Sequence, residues 1–258
     1  MKPAAFDYVR PRTLGEVHAA LARFGRDAKL LAGGQSLVPL LNFRLLRPTA
    51  LIDINRVSGL DVVDYDPACG LRVGALTRHR TLEVSAVVER HYPVIHAAMA
   101  HVAHLAIRNR GTIGGSLSHA DPAAELPMLA LLLDAEITAE SAGGRRASAA
   151  RDFFRGALTN ALAEDEIVTE VRFPPLPLGA GWDFAECAQR AGDFAIAAAG
   201  AIMRLADGRI AEARLALMGV DETPIRVAEA ERLLLGQAGS PALFQAAAES
   251  ARAAVSPN

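Results

Sequence analysis

The chain has 258 residues, of which 51% are hydrophobic, and a formal net charge of −2 at pH 7. A chain of this length can bury a full apolar core and can form one large or two modest domains. The near-neutral charge, with no block of lysine or arginine, argues against a nucleic-acid surface, and no run of about 20 residues is apolar enough for a membrane span. The N-terminus lacks an apolar signal core, so the sequence predicts a cytoplasmic protein.

The first 57 residues are predicted to form a small α/β unit. Thr13 and Glu16 have the spacing of a capping box at the start of a helix, and apolar residues recur at helical intervals after them. Ser36 is placed to cap a second helix, which Pro48 would end. In chain order, the predicted elements are a helix at 14–24, a strand at 28–32, a helix at 37–46 and a strand at 51–54.

The rest of the chain mixes helices and strands on both sides of a proline-rich segment. Residues 174–181 contain three prolines and two glycines, which resist helix and strand pairing and therefore predict a linker. Asp207-Gly208 is a hairpin-turn signal between two of the later strands. The predicted helices are 77–90, 93–105, 127–133, 225–235 and 241–255, and the predicted strands are 71–73, 136–140, 166–173, 182–189, 195–205 and 210–220. The sequence thus predicts an α+β protein with domains at 1–177 and 178–258, the first of them split near residue 57.

Two cysteines, Cys69 and Cys187, are the only thiols of the chain. Because iron–sulfur clusters are held by four thiolates, this chain cannot ligate one alone. We expect both cysteines to be buried as small apolar residues. His101 and His104 are three apart on a predicted helix, but catalytic zinc needs three protein ligands, and no carboxylate or cysteine lies near them in sequence. No metal site is therefore predicted.

Two glycine pairs are the most informative feature of the sequence, one within 32–36 and one within 112–116. Each follows an apolar stretch, ends in a hydroxyl residue and runs into a segment able to start a helix. Glycine permits positive φ and leaves main-chain N–H groups uncovered, so an anionic group can approach closely. One such pair usually means only a tight turn. Two pairs predict one extended anion, such as a diphosphate, held from both sides.

The second glycine pair is surrounded by side chains able to bind polar groups of a ligand: Thr112, Ser116, Ser118, His119, Asp121 and Glu125. Glu125 is placed to accept hydrogen bonds from ribose hydroxyls. Alternatively, Asp121 caps a helix ahead of Pro122 and Glu125 lies in its first turn, facing the helix dipole. Arg108 and Arg110 are equally consistent with phosphate contacts and with structural pairing.

The segments AGGQSLVPLLNFRLLRP (32–48) and IRNRGTIGGSLSHADPAAELP (107–127) resemble the FAD-binding medium subunit of molybdenum hydroxylases. This family includes carbon monoxide dehydrogenase medium chains and the flavin domain of xanthine dehydrogenase. The resemblance covers almost the whole chain, including LIDIN at 51–55 and RAGDFA at 190–195. It implies a two-part FAD domain of the vanillyl-alcohol-oxidase type at 1–177 and a smaller sheet-plus-helix domain at 178–258. Relatives usually extend past the equivalent of Val255, which implies that the second domain is truncated here.

The resemblance also implies which residues bind FAD. The two glycine segments would hold the diphosphate and Glu125 the adenosine ribose, with Ile167 and Val168 near the adenine end. The implied set is Ala32, Gly33, Gly34, Gln35, Ser36, Leu37, Thr112, Gly114, Gly115, Ser116, His119, Asp121, Glu125, Ile167 and Val168. Trp182, Phe184 and Phe194 are expected mainly in the core, with Phe194 also a candidate neighbour of the flavin ring. Ala185 stands where some relatives carry a lysine near the flavin, so no catalytic side chain is implied.

The function implied by the resemblance is electron transfer within a heterotrimer. A small partner would carry two [2Fe–2S] clusters and a large partner the molybdopterin centre, with two heterotrimers forming a dimer. Electrons would pass from the clusters through FAD on this chain to an external acceptor. The residues themselves leave two alternatives open. One is a self-contained FAD-dependent oxidase or reductase, and the other is a non-catalytic assembly module whose glycine pairs are only turns.

Overall fold

The computed structural model describes residues 2–256, and we divide them into three units by their three main sheets, which follow one another along the chain. Met1, Pro257 and Asn258, which belong to the predicted domain ranges, lie outside the described residues. We call the units N-terminal (2–57), middle (58–177) and C-terminal (178–256). Among the described residues, no helix combines the length and apolar character needed to cross a membrane.

The N-terminal unit is a three-stranded parallel sheet with helices in its connections. Thr13 caps the first helix, its Oγ1 accepting from the main-chain N of Glu16 at 3.2 Å, as the sequence predicts. The strand order is β1-β3-β2, so β3 is central and buried along its length. The elements are β1 (Asp7–Val9), α1 (Leu14–Phe24), β2 (Ala28–Leu31), α2 (Leu37–Asn42) and β3 (Ala50–Asp53).

The middle unit is a five-stranded antiparallel sheet in the order β4-β5-β10-β6-β7, accompanied by short helices and a small hairpin, β8–β9. Its strands are β4 (Val63–Asp66), β5 (Gly70–Gly74), β6 (Glu136–Ser141), β7 (Gly144–Ala149), β8 (Phe154–Gly156), β9 (Thr159–Asn160) and β10 (Ile167–Phe173). Its helices are α3 (His79–Val84), α4 (Ala86–His91), α5 (Pro93–Met99), α6 (Leu105–Arg108), α7 (Ile113–His119), α8 (Glu125–Leu132) and α9 (Ala150–Phe153).

The C-terminal unit is a four-stranded antiparallel sheet followed by two helices, in agreement with the predicted sheet-plus-helix domain. Asp207 and Gly208 both have positive φ, 50° and 71°, which is the backbone of a tight hairpin turn. The elements are β11 (Gly181–Ala188), β12 (Ala195–Ala206), β13 (Arg209–Met218), β14 (Ile225–Arg226), α10 (Ala228–Leu234) and α11 (Pro241–Ala253). The α+β class predicted from the sequence is confirmed.

The largest apolar core is shared by the middle and C-terminal units. Every residue of α8 is buried, and this helix packs against β12 and β13. At Gly200 on β12, a Cβ atom would lie 2.7 Å from Cδ2 of Leu132, so the glycine permits close contact with α8. Ile202 and Met218 therefore belong to the same buried cluster as Leu71 in the middle sheet.

Several predicted helices are shorter or interrupted. The helix predicted at 77–90 is two helices, because Ser85 adopts extended geometry (φ −75°, ψ 117°) and its side chain caps α4. The helix predicted at 93–105 ends with α5, and a separate short helix, α6, follows. Residues 225–226 pair with β13 before α10 begins. The strands β1, β4 and β7 and the hairpin β8–β9 were not predicted.

Candidate functional site

The first glycine segment, residues 32–36, is the loop that joins β2 to α2. Gly34 has φ +75°, a conformation that favours glycine, and the Gln35 side chain donates to the carbonyl of Gly33 at 2.8 Å. Within residues 2–256, the main-chain N–H groups of Gly34, Gln35 and Ser36 donate no hydrogen bond. Consecutive uncommitted N–H groups in such a turn form a concavity suited to an anion.

The helix that follows this segment differs from the prediction. α2 is six residues long and ends at Asn42 rather than Leu46. Ser36 makes no side-chain capping bond, because its own backbone is already helical (φ −93°, ψ −44°). The hydroxyl of Ser36 is therefore exposed and uncommitted instead of being used as a cap. Leu37 is the first residue of α2.

The second glycine pair lies inside a helix, in the first turn of α7, rather than in a loop before it. Thr112 caps α7, its Oγ1 accepting from the N of Gly115 at 3.1 Å. Gly114 donates to the carbonyl of Ala75 at 2.9 Å, and a Cβ on Gly114 would lie 2.5 Å from Cβ of Ala75. This segment thus uses its N–H groups within the protein. Thr112 is buried and its hydroxyl is the cap acceptor, whereas Ser116 is partly exposed.

The first glycine segment touches the chain just before the second. A Cβ on Gly33 would lie 2.4 Å from the carbonyl oxygen of Arg110 and 2.8 Å from Cα of Gly111. Only glycine allows this approach of one backbone to another. The structure therefore brings close together the segments that the sequence predicts to face one anion, although their glycines have different roles.

His119, Asp121 and Glu125 lie toward the other end of α7, with His119 about 10 Å along the helix axis from Thr112. Asp121 does not cap a helix ahead of Pro122, so that expectation is wrong. Its Oδ1 accepts from the N of Ala123 at 2.9 Å in a local turn, and α8 begins only at Glu125. Glu125 does lie in the first turn of α8, as the alternative interpretation expected.

Glu125 is a buried carboxyl group with a second carboxyl group nearby. It is 9% exposed, and this burial raises the pKa of the Glu125 carboxyl to about 7, with the charges of Glu186 and Asp121 acting in the same direction. The Glu186 side chain is 3% exposed, and burial also raises its pKa. Its Oε1 lies 3.8 Å from Nδ1 of His101. The sequence contains no signal for Glu186, whose inward position follows only from the register of β11.

Ile167 and Val168 open strand β10 and are each 2% exposed. Ile167 packs with Val17 of α1 in the N-terminal core, whereas Val168 belongs to the core shared by the middle and C-terminal units. Their side chains therefore face protein on both sides of the strand. A ligand beside this strand would meet its main chain.

Arg108 and Arg110 have structural roles in this structure. The guanidinium of Arg108 donates to both carboxylate oxygens of Glu83, at 2.9 and 3.1 Å, and to the carbonyls of Val102 and Ala103. Arg110 contributes its carbonyl oxygen to the contact with Gly33. Pairing is thus the observed alternative for Arg108.

Four residues that were expected to be buried are exposed. Cys69 and Cys187 are exposed, the first in a turn and the second on the outer face of the edge strand β11. Trp182 is 40% exposed and Phe194 75% exposed, while Phe184 packs partly against the main core. Within residues 2–256, no three His, Cys, Asp or Glu side chains are arranged to hold a metal ion.

Three further residues, which the sequence did not predict as site residues, flank the glycine segments: Asn55, Arg78 and His79. The ring nitrogens of His79 are buried without a hydrogen-bond partner in the described structure, and burial lowers the pKa of His79 to about 4. A Cβ on Gly111 would lie 2.8 Å from this ring. Asn55 falls within the LIDIN motif, but the sequence contains no signal for Arg78.

Comparison with known families identifies the chain's family. Residues 4–176 match the family described as the FAD binding domain in molybdopterin dehydrogenase. The chain belongs to this FAD-binding family. Residues 182–258 match the CO dehydrogenase flavoprotein C-terminal domain. The resemblance and the FAD cofactor inferred from the sequence are therefore confirmed.

Members of this FAD-binding family resemble the chain over most of its length. It is 44% identical to the 6-hydroxypseudooxynicotine dehydrogenase complex subunit alpha of Paenarthrobacter nicotinovorans, over 97% of this chain and 85% of that protein. It is 43% identical to caffeine dehydrogenase subunit beta of Pseudomonas sp. (strain CBB1), over 92% of this chain and 80% of that protein. A solved structure of carbon monoxide dehydrogenase from Hydrogenophaga pseudoflava, lacking the Mo-pyranopterin moiety, matches with a TM-score of 0.97 and 37% identity, covering 100% of this chain and 90% of that one.

The residues of the first glycine segment fit the diphosphate of FAD. Three uncommitted N–H groups and the positive φ of Gly34 form a cradle that a Cβ would strain. The hydroxyls of Thr112 and Ser116 lie on the second segment, which directly follows the residues that Gly33 contacts, Arg110 and Gly111. Such a set of neutral donors is what binds a diphosphate in the absence of a P-loop lysine.

Proposed function

We propose that the chain is the FAD-carrying electron-transfer subunit of a heterotrimeric molybdenum hydroxylase. Electrons would pass from [2Fe–2S] clusters on a partner through FAD on this chain to an external acceptor. The observation that carries the proposal is the contact of Gly33 with Arg110, which joins the two glycine segments beside free N–H donors. When bound, FAD supplies the redox chemistry, and this chain's residues bind and orient it.

The proposed cofactor contacts follow the geometry of the two segments. The N–H groups of residues 34–36 would hold the diphosphate together with the Thr112 and Ser116 hydroxyls. Glu125 would accept hydrogen bonds from the adenosine ribose. We assign the adenine end to the main chain of 167–168, since both side chains are buried. His119 and Asp121 lie between these contacts along the chain and complete the proposed site.

The proposed partners follow from the chemistry that this chain lacks. Its two cysteines, Cys69 and Cys187, cannot supply the thiolates of an iron–sulfur cluster. Relatives are named as subunits of dehydrogenases, one of them explicitly a subunit of a complex. We therefore propose a small iron–sulfur partner and a large molybdopterin partner, in a cytoplasmic dimer of heterotrimers.

Metal and flavin stoichiometry tests this proposal. The chain would be affinity-tagged and co-expressed with the products of the reading frames that flank its own, and the purified assembly analysed for iron, molybdenum and FAD. Two [2Fe–2S] clusters and one molybdenum centre predict about four iron atoms and about one molybdenum atom for each FAD. A Gly34→Val variant should lower FAD and leave the iron-to-molybdenum ratio unchanged.

Two outcomes would contradict the proposed function. Flavin without iron or molybdenum, together with substrate turnover by the chain alone, would favour a self-contained oxidase or reductase. A folded assembly that contains metals but no flavin in the wild type would favour a non-catalytic module.

A further inference from the structure

Two side chains outside the glycine segments connect them through hydrogen bonds. Asn55, just after β3, donates from Nδ2 to the carbonyl of Ala32 at 2.8 Å. Arg78, just before α3, donates from Nη2 to Oδ1 of Asn55 at 2.6 Å and from Nη1 to the carbonyl of Arg110. A continuous chain of hydrogen bonds thus runs from the first segment to Arg110, two positions before the second.

The Asn55 side chain is held in one orientation. Its Nδ2 also donates to Oδ1 of Asp53 at 2.6 Å, and its main-chain N donates to the same oxygen at 3.0 Å. Burial tends to raise the pKa of Asp53, but hydrogen bonds from Tyr8 and Asn55 hold it below its usual range, so this acceptor is a carboxylate. A flipped amide would turn its NH₂ group toward the guanidinium of Arg78, where donor would face donor.

The Arg78 guanidinium donates hydrogen bonds to neutral acceptors. Within the described residues, no carboxylate lies within 4 Å of it, although it is half-buried. One of its two acceptors, the carbonyl oxygen of Arg110, is the atom that would lie nearest to a Cβ on Gly33. The bond from Arg78 therefore orients the group against which the first glycine segment rests.

We propose that Asn55 and Arg78 form a bridge that sets the spacing of the two glycine segments and thereby the affinity for a diphosphate. They are positioning residues, since they act through the main chain of Ala32 and Arg110. This inference rests on the proposed placement of the FAD diphosphate. The property it concerns is the spacing of the two segments. Sequence motifs alone assign neither residue a role in that spacing.

The test compares Arg78→Lys and Asn55→Asp with Arg80→Lys as a matched control in the full chain. Lysine keeps the charge of Arg78 but lacks the planar fork that joins two acceptors, and Asp at 55 would face the Asp53 carboxylate. Arg80 is partly exposed and pairs with Glu83 at 3.0 Å, and among the described residues its side chain makes no hydrogen bond to either segment. Dissociation constants would be measured for FAD by fluorescence, and for ADP and adenosine by competition, alongside the melting temperature.

The bridge predicts that both site variants weaken FAD and ADP by about tenfold or more, the effect of losing a hydrogen bond to a charged group. Adenosine, which has no diphosphate, should bind them as it binds wild type, and Arg80→Lys should bind all three ligands normally. Equal weakening of ADP and adenosine would mean a general loss of structure and would overturn the inference. Unchanged FAD affinity in both variants would also overturn it.

A Gly34→Val variant separates this inference from the proposed site itself. If Gly34→Val loses FAD while the bridge variants retain it, the site stands and the bridge is wrong. If Gly34→Val retains FAD, the diphosphate lies elsewhere and the proposed site is wrong.

Discussion

Adjacent glycines in the first segment are required for different physical reasons. Gly34 has positive φ, whereas Gly33 has ordinary φ and is needed because a Cβ would collide with the Arg110 carbonyl. The sequence shows that a glycine pair lies here. It does not predict which backbone approaches Gly33, because that partner is 77 positions away and follows from the packing of two units.

Gly33→Ala tests this close approach. The added Cβ must displace the backbone of residues 110–111, which we expect to cost about 1–3 kcal/mol of unfolding free energy and to weaken FAD binding. Gly143→Ala is the control, because its Cβ would meet nothing nearer than Ser141 Oγ at 3.5 Å. Thermal melting and FAD titration of both variants would check the prediction, and equal behaviour of the two would contradict it.

The buried carboxyl of Glu125 predicts a pH-dependent stability of the FAD-free protein. Its pKa rises from 4.5 to about 7 on folding, so the native state holds a proton that the unfolded state releases. Stability should therefore fall as pH rises from about 4.5 to 7 and then level off. Glu125→Gln should be more stable than wild type at pH 8, by on the order of 3 kcal/mol, and similar to it at pH 4.5.

Urea unfolding of Glu125→Gln at several pH values measures this difference. Glu249→Gln, at an exposed position on α11, is the control and should show no such pH-dependent gain. A stability difference that stays constant from pH 4.5 to 8 would contradict the assignment of a raised pKa to Glu125.

At the scale of elements, sequence patterns predict where structure begins better than where it ends. The Thr13 cap, the hairpin at Asp207-Gly208 and the buried apolar helix α8 are all found. Ser85 interrupts a helix that the sequence predicts to be continuous. The prediction fails here because, in sequence, a serine that caps a following helix looks the same as a serine inside one continuous helix. The site shows the same limit: its segments are predicted, but their contact is not.

The cap of α7 gives a prediction at this scale. Thr112→Val removes the acceptor for Gly115 N and should cost about 1 kcal/mol of stability, and it also removes a hydroxyl proposed to meet the diphosphate. Ser240→Ala removes the equivalent cap of α11, whose Oγ accepts from Leu243 N at 3.2 Å. Melting temperatures should fall similarly in both variants. FAD affinity should fall only in Thr112→Val, and a matching loss in Ser240→Ala would refute this.

At the scale of the whole molecule, the predicted domain boundary crosses a shared core. The proline-rich segment does separate β10 from β11, yet α8 is buried against the C-terminal sheet. The sequence could not show this, because an apolar helix looks the same whichever sheet covers it. The middle and C-terminal units should consequently unfold together.

The single tryptophan, Trp182 on β11, makes cooperative unfolding measurable. Its fluorescence reports on the C-terminal unit, whereas far-ultraviolet circular dichroism reports on the whole chain. The two urea transitions should coincide, and Gly200→Val, which forces a side chain against Leu132, should shift both together. Two separated transitions would contradict a shared core.

The central claim is that the glycine segments hold FAD, and flavin absorbance of the purified full chain tests it most directly. Wild-type protein co-expressed with its partners should carry about one FAD per chain. Gly34→Val should be colourless yet melt cooperatively, because Gly34 lies in a surface turn with φ +75°. A folded, colourless wild-type protein, or a Gly34→Val variant with full flavin content, would contradict the account.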